Sequence, residues 1–544
     1  VLVLGLVEGR QGGAAVAVDD RLVAWAPAGP TDAADDMPWS AAERALQIAG
    51  LSCADVDIVS VAGRYTPMFL RKRPLLRRML EAPFTRMLDA TVALRSALRQ
   101  SGIGAFDADA TAEWLDGRLR ERGYDPRRTM TVDVHRALAE AAYRLQPADE
   151  ALVVTVHPMG DGAALAVHVG RSGQLDRVYA QAGFDALHTH LVRVMAALGL
   201  RVEQGVEAVA ALGASGQVSD EAVRLLQERL FADAGRLSRG GGARSEDALF
   251  AALRALSPED AAASVIEHLG GVVADVVEHH VRAQGIGHVS LAGGVLEAPA
   301  IVAKVADLDV VRRVTVLPAP GHALLPIGAA ACEAGLSPHL PDWLLGPPPD
   351  DAEIDEVVKR ARLNPRATVG LIARLSAGEA VPRFRGRPGP DRLGLGARCV
   401  LVRPDDRAAL DAARAALRLE AHTPARVLVR AGAGDLRWAR PEVVGRCTSW
   451  ATACVRPEGA GELVAACGVG GGLVVQEIEA AQDPGLFRLL DAAAAAWGTG
   501  ALAALPFAEA DGPVATDPAH AVEIWRRAGL GAMQLGGLVV EASP

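Results

Sequence analysis

The stretch Val289–Ala330 reads VSLAGGVLEAPAIVAKVADLDVVRRVTVLPAPGHALLPIGAA. Val289–Ala292 is an apolar run of strand length, stopped by Gly293-Gly294. An Ala- and Val-rich helical pattern follows. Val314–Leu317 is a second strand, Pro318–Gly321 its loop, and Ile327–Ala334 a second helix. Strand, glycine turn, helix, strand, loop, helix is the grammar of a nucleotide-binding α/β layer. A glycine pair after a strand lets a ligand approach the backbone, and the next helix offers its amide-rich end to an anion. The same pair serves equally as a tight turn.

Working outward, Val1–Leu6, Ala14–Val18 and Leu22–Trp25 read as strands, the last two joined by an Asp19-Asp20 hairpin. Such an opening begins the actin-like and sugar-kinase-like folds. Pro38–Gly50 is helical, with Ser40 as N-cap and Gly50 as C-cap. Val56–Ala62 is a strand. Residues 64–128, with RKRPLLRR at Arg71–Arg78, read as a helical insertion carrying solvated arginines. Thr131–Leu145 is a short strand running into a helix. Leu152–Val156 and Ala163–Val169 are strands around the loop His157–Gly162, a second hairpin on the phosphate side. Residues 184–200 and 219–232 are helical, Ser238–Ser245 is a flexible loop, and Asp260–Gln284 is one long helix. The proline-rich run Pro338–Asp351 forbids continued helix or sheet and places a domain junction near residue 340. Beyond it lie helices over 352–363, 406–420 and 488–497, Val-rich strands, and a closing helix and strand. No tandem repeat is visible.

The chain has 544 residues and a net charge of −10, which argues against a general nucleic-acid binder. Lysine is confined to Lys72, Lys304 and Lys359, and arginine is abundant. No run is long and apolar enough to span a membrane, and the start VLVLGLVEGRQGG lacks the basic region of a signal peptide. Cys53, Cys332, Cys399, Cys447, Cys454 and Cys467 are scattered, with no CxxC pair, as suits reduced thiols and a cytoplasmic protein.

Several phrases resemble the O-carbamoyltransferases of nodulation-factor and antibiotic tailoring over nearly the whole chain. Leu291-Ala292-Gly293-Gly294-Val295 is similar to the family's LAGGVALN. Pro318-Ala319-Pro320-Gly321 with Ile327-Gly328-Ala329-Ala330 is similar to PAAGDAGGALGAA. Val154-Thr155-Val156 with Met159-Gly160-Asp161-Gly162 is similar to TVDGVGDG. Gly386-Arg387 with Leu395-Gly396-Ala397-Arg398 is similar to GRMEFGPRALGNR. The resemblance implies an actin-like (ASKHA) two-lobed domain over residues 1–340 and a YrdC-like α/β domain over 341–544. It implies carbamoyl-adenylate made from carbamoyl phosphate and ATP in the second domain. The first domain would then pass the carbamoyl group to a hydroxyl of a small-molecule acceptor with a bound metal, usually iron.

The departures from the family define this chain. Its HHxxHA signature stands here as Val134-His135-Arg136-Ala137-Leu138-Ala139, so both outer metal ligands become apolar. The aspartates of TVDG and PAAGD become His157 and His322. The early His-Gly-Asp becomes Gly9-Arg10-Gln11, and the Asn that ends AGGVALN becomes Ala298. In the second domain the glutamate and Gly-Pro-Arg become Gly389 and Asp391-Arg392-Leu393. Arg387 and Arg398 remain for phosphate, with Arg392 out of register.

Three readings follow. A degenerate carbamoyltransferase serves as the partner subunit of an active relative, as a homodimer or hetero-complex. Or an active enzyme works with a rebuilt site in which His157 and His322 join His135 around zinc or iron. Or a regulatory module keeps only the nucleotide cleft. His135 reads equally as the catalytic imidazole or as a helix-start histidine tied to backbone. Gly293, Gly294 and Asp161 read as nucleotide-binding, and Asp161 equally as a hairpin cap.

Overall fold

The computed structural model describes residues 1–8, 12–28, 37–64, 103–146, 148–157, 160–183, 187–200, 205–241, 243–336, 343–366, 370–432, 473–509 and 514–541, with single positions and short pieces between 94 and 101 and between 437 and 458. Arg71–Arg78 and Gly9-Arg10-Gln11 lie outside the described residues. The chain forms two compact units, Val1–Pro341 with Glu442–Gly445, and Asp342–Pro441 with Arg446–Pro544. Among the described residues no helix is long and apolar enough to cross a membrane.

The first unit is one topology used twice. Strands β1 (Leu2–Val7), β2 (Gly13–Val18) and β3 (Arg21–Pro27) form an antiparallel meander, and β4 (Ile58–Ala62) and β5 (Arg128–Val132) add in parallel beside β1. The sheet order is β3-β2-β1-β4-β5. Strands β6 (Glu150–Val156), β7 (Ala163–Arg171) and β8 (Gln174–Ala182) form a second meander. To it β11 (His288–Ala292) and β12 (Arg313–Val316) add in parallel, giving β8-β7-β6-β11-β12. The two orders are identical. The duplication is invisible as a sequence repeat because each strand needs only an apolar pattern, not a particular residue. All six residues of β1 are buried, as are four of the five of β11.

Helices link the two halves. α1 (Trp39–Ala49), α2 (Ile103–Arg120) and α3 (Val134–Arg144) belong to the first half. The second half carries α4 (Leu187–Ala197), α5 (Gly205–Leu212), α6 (Asp220–Arg229) and α7 (Ala243–Ala255). The long α8 (Pro258–Gln284), α9 (Pro299–Ala306) and α10 (Leu325–Ala334) complete it. α3 leaves the first sheet and packs on β6 and β11 of the second. α10 leaves the second sheet and packs on β1, β2 and β4 of the first, and the two helices pack on each other. Glycines make the crossing possible. A β-carbon at Gly328 would lie 2.0 Å from Ala137 O, and one at Gly5 would lie 2.0 Å from Pro326 O. Gly328→Val therefore forces backbone apart and is expected to lower unfolding stability by about 1–3 kcal/mol or more. A denaturant midpoint equal to that of the parent would contradict this.

Three local expectations are corrected. The N-cap of α1 is Pro38, with no side-chain cap bond, and Ser40 lies inside the helix; Trp39 N bonds Met37 O instead. The segment Ser238–Ser245 is not one loop. Its start lies in β10 (Arg236–Arg239), which pairs with β9 (Leu230–Asp233), and its end opens α7. β8 also extends the second hairpin into a meander, a strand hidden because most of its residues are not buried and Asp176-Arg177 interrupt its apolar pattern.

The second unit is built on one nine-stranded mixed sheet. It runs β13 (Asn364–Arg366), β23 (Leu538–Glu541), β22 (Ala532–Leu535), β14 (Val381–Phe384), β15 (Arg398–Val402), β21 (Ala501–Pro506), β16 (Arg426–Arg430), β20 (Leu473–Ile478) and β18 (Cys454–Val455). β17 (Arg437–Trp438) and β19 (Pro457–Glu458) pair separately. Helices α11 (Asp351–Arg360), α12 (Leu371–Ser376), α13 (Arg407–Ala416), α14 (Pro484–Trp497) and α15 (Pro518–Ala528) accompany it. Leu375 and Leu490 from two of them share a core with Leu401, Leu428 and Leu502 of the sheet.

Candidate functional site

In the first unit the loops after β6, β11 and β12 meet at the carboxyl ends of three adjacent parallel strands, the usual ligand position in open α/β sheets. Backbone packing there is close. Gly293 has φ +132°, its N–H donates to Pro320 O at 2.7 Å, and a β-carbon on it would sit 1.7 Å from Val156 O. Only glycine tolerates that conformation and that approach. Gly294 differs: a β-carbon there would meet nothing within 4 Å, so it faces open space. A β-carbon on Gly321 would lie 2.1 Å from Glu297 Oε1, which draws the β12 loop against the β11 turn.

Three histidines gather at this edge. The rings of His135 and His157 are 6.3 Å apart and edge-on, and those of His157 and His322 are 6.4 Å apart and tilted by 32°. His157 and His322 are half-buried, and His135 is fully buried. A β-carbon on Gly160 would come within 2.9 Å of His157 Nδ1 and 2.8 Å of Val134 Cγ1, so the ring of His157 lies against the start of α3.

His135 is tied on both sides. Its Nε2 lies 3.0 Å from Ala163 O and its Nδ1 2.8 Å from Thr155 Oγ1. A carbonyl only accepts, so Nε2 carries the proton. The flanking Val134 and Leu138 are buried apolar side chains. Asp161 takes φ +53° in the turn Gly160–Gly162, and its Oδ2 accepts Val134 N at 2.7 Å, while Asp133 Oδ1 accepts Arg136 N at 3.1 Å. Two carboxylates thus cap the first turn of α3. His168, on β7 beside this core, is held down to about 3 by burial first and then by His135 and Arg136, against the pull of Asp133.

These donors do not fit the metal that the resemblance implies. A transition ion needs several side-chain donors converging at about 2 Å. Val134 and Leu138 have no donor atoms, and both nitrogens of His135 face Thr155 and Ala163. Among the described residues no three His, Cys, Asp or Glu side chains are placed to hold a metal. What the edge presents is open backbone at Gly294 and the half-buried imidazoles of His157 and His322.

In the second unit the sequence-picked arginines take separate places. Arg387 donates from Nε to Gly346 O at 2.8 Å and from Nη2 to Leu345 O at 3.0 Å. Arg398 is buried over the ring of Phe384 at 3.8 Å, and its Nη1 donates to the carbonyls of Gly386 and Ala397, both at 2.9 Å. Burial, then Arg383, push its guanidinium down to about 9. Arg392 is exposed. The polar network that organises this unit lies on residues not singled out from sequence. Arg383 bonds Gly396 O and Asp483, and Arg426 bonds Asp391 and Gln476. One signal was available: an arginine inside the apolar strand VPRF must find a buried partner.

The class defined by this architecture is a two-unit mixed α/β protein whose first unit repeats one five-stranded sheet. No protein-family profile matches the chain, and no curated protein does. Among solved structures it is similar to the activator of the 2-hydroxyisocaproyl-CoA dehydratase from Clostridium difficile with bound ADPNP. That match has 13% identity and a TM-score of 0.34, and covers 61% of this chain and 94% of that one. It is also similar to the ROK hexokinase from Thermus thermophilus, at 17% identity and a TM-score of 0.27 over 61% and 97% of the two chains. T. kodakarensis HypF matches at 12% identity and a TM-score of 0.34, over 62% of this chain and 48% of that one. Likeness at this distance assigns no site; the doubled strand order carries the fold.

Proposed function

We propose that this chain is a divergent carbamoyltransferase-type protein, an actin-like unit followed by a YrdC-like unit, that keeps the fold without the family's metal and adenylation chemistry. It serves as the non-catalytic partner of an active carbamoyltransferase in a cytoplasmic biosynthetic assembly. The observation that supports this best is the first turn of α3. There His135 is locked between Thr155 and Ala163, and Val134 and Leu138 fill the flanking positions. The purified chain, given ATP and carbamoyl phosphate, is expected to release no carbamoyl-phosphate-dependent pyrophosphate. Co-expressed with an intact relative, it is expected to co-elute as a complex. Turnover by the chain alone would overturn the proposal.

One observation favours a second reading. His157 and His322 face each other at 6.4 Å beside the open Gly294. An active O-carbamoyltransferase built on this pair would still bind ATP and carbamoyl phosphate, and would lose activity on His322→Ala.

A further inference from the structure

The second unit holds more guanidinium groups in one place than carboxylates to answer them. Arg383 is buried, and its Nη2 donates to Asp483 Oδ2 at 2.5 Å. The other oxygen, Oδ1, accepts Leu486 N at 2.9 Å and caps α14. Both oxygens of Asp483 are therefore committed. Among the described residues Arg398, also buried, donates only to main-chain carbonyls.

Arg385 lies beside them. Its guanidinium rests on Gly485, where a β-carbon would meet Cζ at 3.0 Å and each Nη at 3.2 Å, so any side chain at 485 would displace it. It is half-buried, and among the described residues its side chain has no hydrogen-bond or ion-pair partner. Arg488, three residues along α14 and so on the same face as Gly485, is exposed and likewise unpartnered. Burial first, and then Arg383, hold Arg385 below the ordinary guanidinium range, with Arg488 adding to them and Asp483 the one opposing charge. A half-buried charge among like charges is costly unless an ion of opposite sign joins it.

We propose that Arg385 and Arg488 form an oxyanion site for a phosphate group at the first turn of α14. The planar fork of Arg385 suits bidentate phosphate contact, and a doubly charged phosphate answers a surplus greater than one. Gly485 makes the site possible by leaving room for the guanidinium. Arg387 and Arg398, the arginines that the sequence pattern points to, take no part. The site requires no group transfer, so it stands or falls separately from the turnover result.

The test uses the full chain with inorganic phosphate and pyrophosphate as probes and chloride at matched ionic strength as control. Both probes should raise the thermal midpoint saturably, and chloride should not. Arg385→Met should do two things a merely structural arginine would not. It should raise the midpoint without anion by about 2 °C, because a poorly compensated charge is gone, and weaken phosphate binding at least tenfold. Arg488→Met, which removes a like charge from the same cluster, should also weaken phosphate binding. No saturable response, a response that Arg385→Met leaves intact, or a lower anion-free midpoint in that variant would overturn the proposal.

Discussion

Lowering the pH from 7 to 5 is expected to destabilise the first unit steeply, through histidines buried as neutral rings. Burial holds His268 down to about 4, and His168 lies at about 3 for the causes given above. Both are almost fully buried. Neither nitrogen of His268, nor Nδ1 of His168, has a hydrogen-bond partner among the described residues. The ring of His190 stands edge-on to His268 at 5.7 Å and is itself held well below its ordinary value, by burial first and then by His268.

Above pH ~6.5 these imidazoles are neutral in both the folded and the unfolded chain, and nothing is lost. Below that value the unfolded chain takes up protons that the folded chain refuses, so stability falls with pH until the folded-state values of about 4 and 3 are reached. Each ring contributes about 1.4 kcal/mol per pH unit, so His168 and His268 together remove on the order of 4 kcal/mol between pH 6.5 and 5. Urea midpoints at pH 7, 6 and 5 measure the slope. His268→Leu should flatten it by close to one proton. A midpoint independent of pH over this range, or an unchanged slope in the variant, would refute the account.

The second large effect sits at the organising glycine pair. Gly293→Val places a β-branched side chain at φ +132° with its β-carbon 1.7 Å from Val156 O. Backbone strain of about 1–3 kcal/mol and a forced shift of β6 of similar size are expected together. That is a loss of roughly 3–5 kcal/mol, read as a lower denaturant midpoint and poor soluble yield. Gly294→Ala is the contrast. Its β-carbon meets nothing within 4 Å, so the midpoint should stay within about 0.5 kcal/mol of the parent. Equal losses at the two positions would mean that the turn is not held against β6.

Much of the framework was legible because strand and helix identity depend on local pattern. The two apolar runs, the glycine turn and the long helix before them were each readable within a few residues. The doubling of the sheet was not, since topology is a property of pairing and no residue encodes it alone. β8 was missed because seven of its nine residues are not buried, and β10 because a glycine-rich run directly follows it. At the candidate site the neighbourhood of His135, His157 and His322 was legible from the motif positions. What the rings do there was not. The bonds of His135 run to Thr155 and Ala163, on the strands either side of the β6–β7 turn, and only packing shows that both nitrogens are used. In the second unit, Arg387 and Arg398 were prominent by motif, and their partners are main-chain carbonyls that no sequence pattern names.

The most direct test of the central claim is metal content by plasma mass spectrometry, on the full chain purified without added metal and again after incubation with iron or zinc and desalting. The account predicts well under one equivalent in both, because Val134 and Leu138 supply no donor and His135 is committed elsewhere. About one equivalent of iron or zinc, lost on His322→Ala, would contradict it and would mean that a working site has been rebuilt on the histidines.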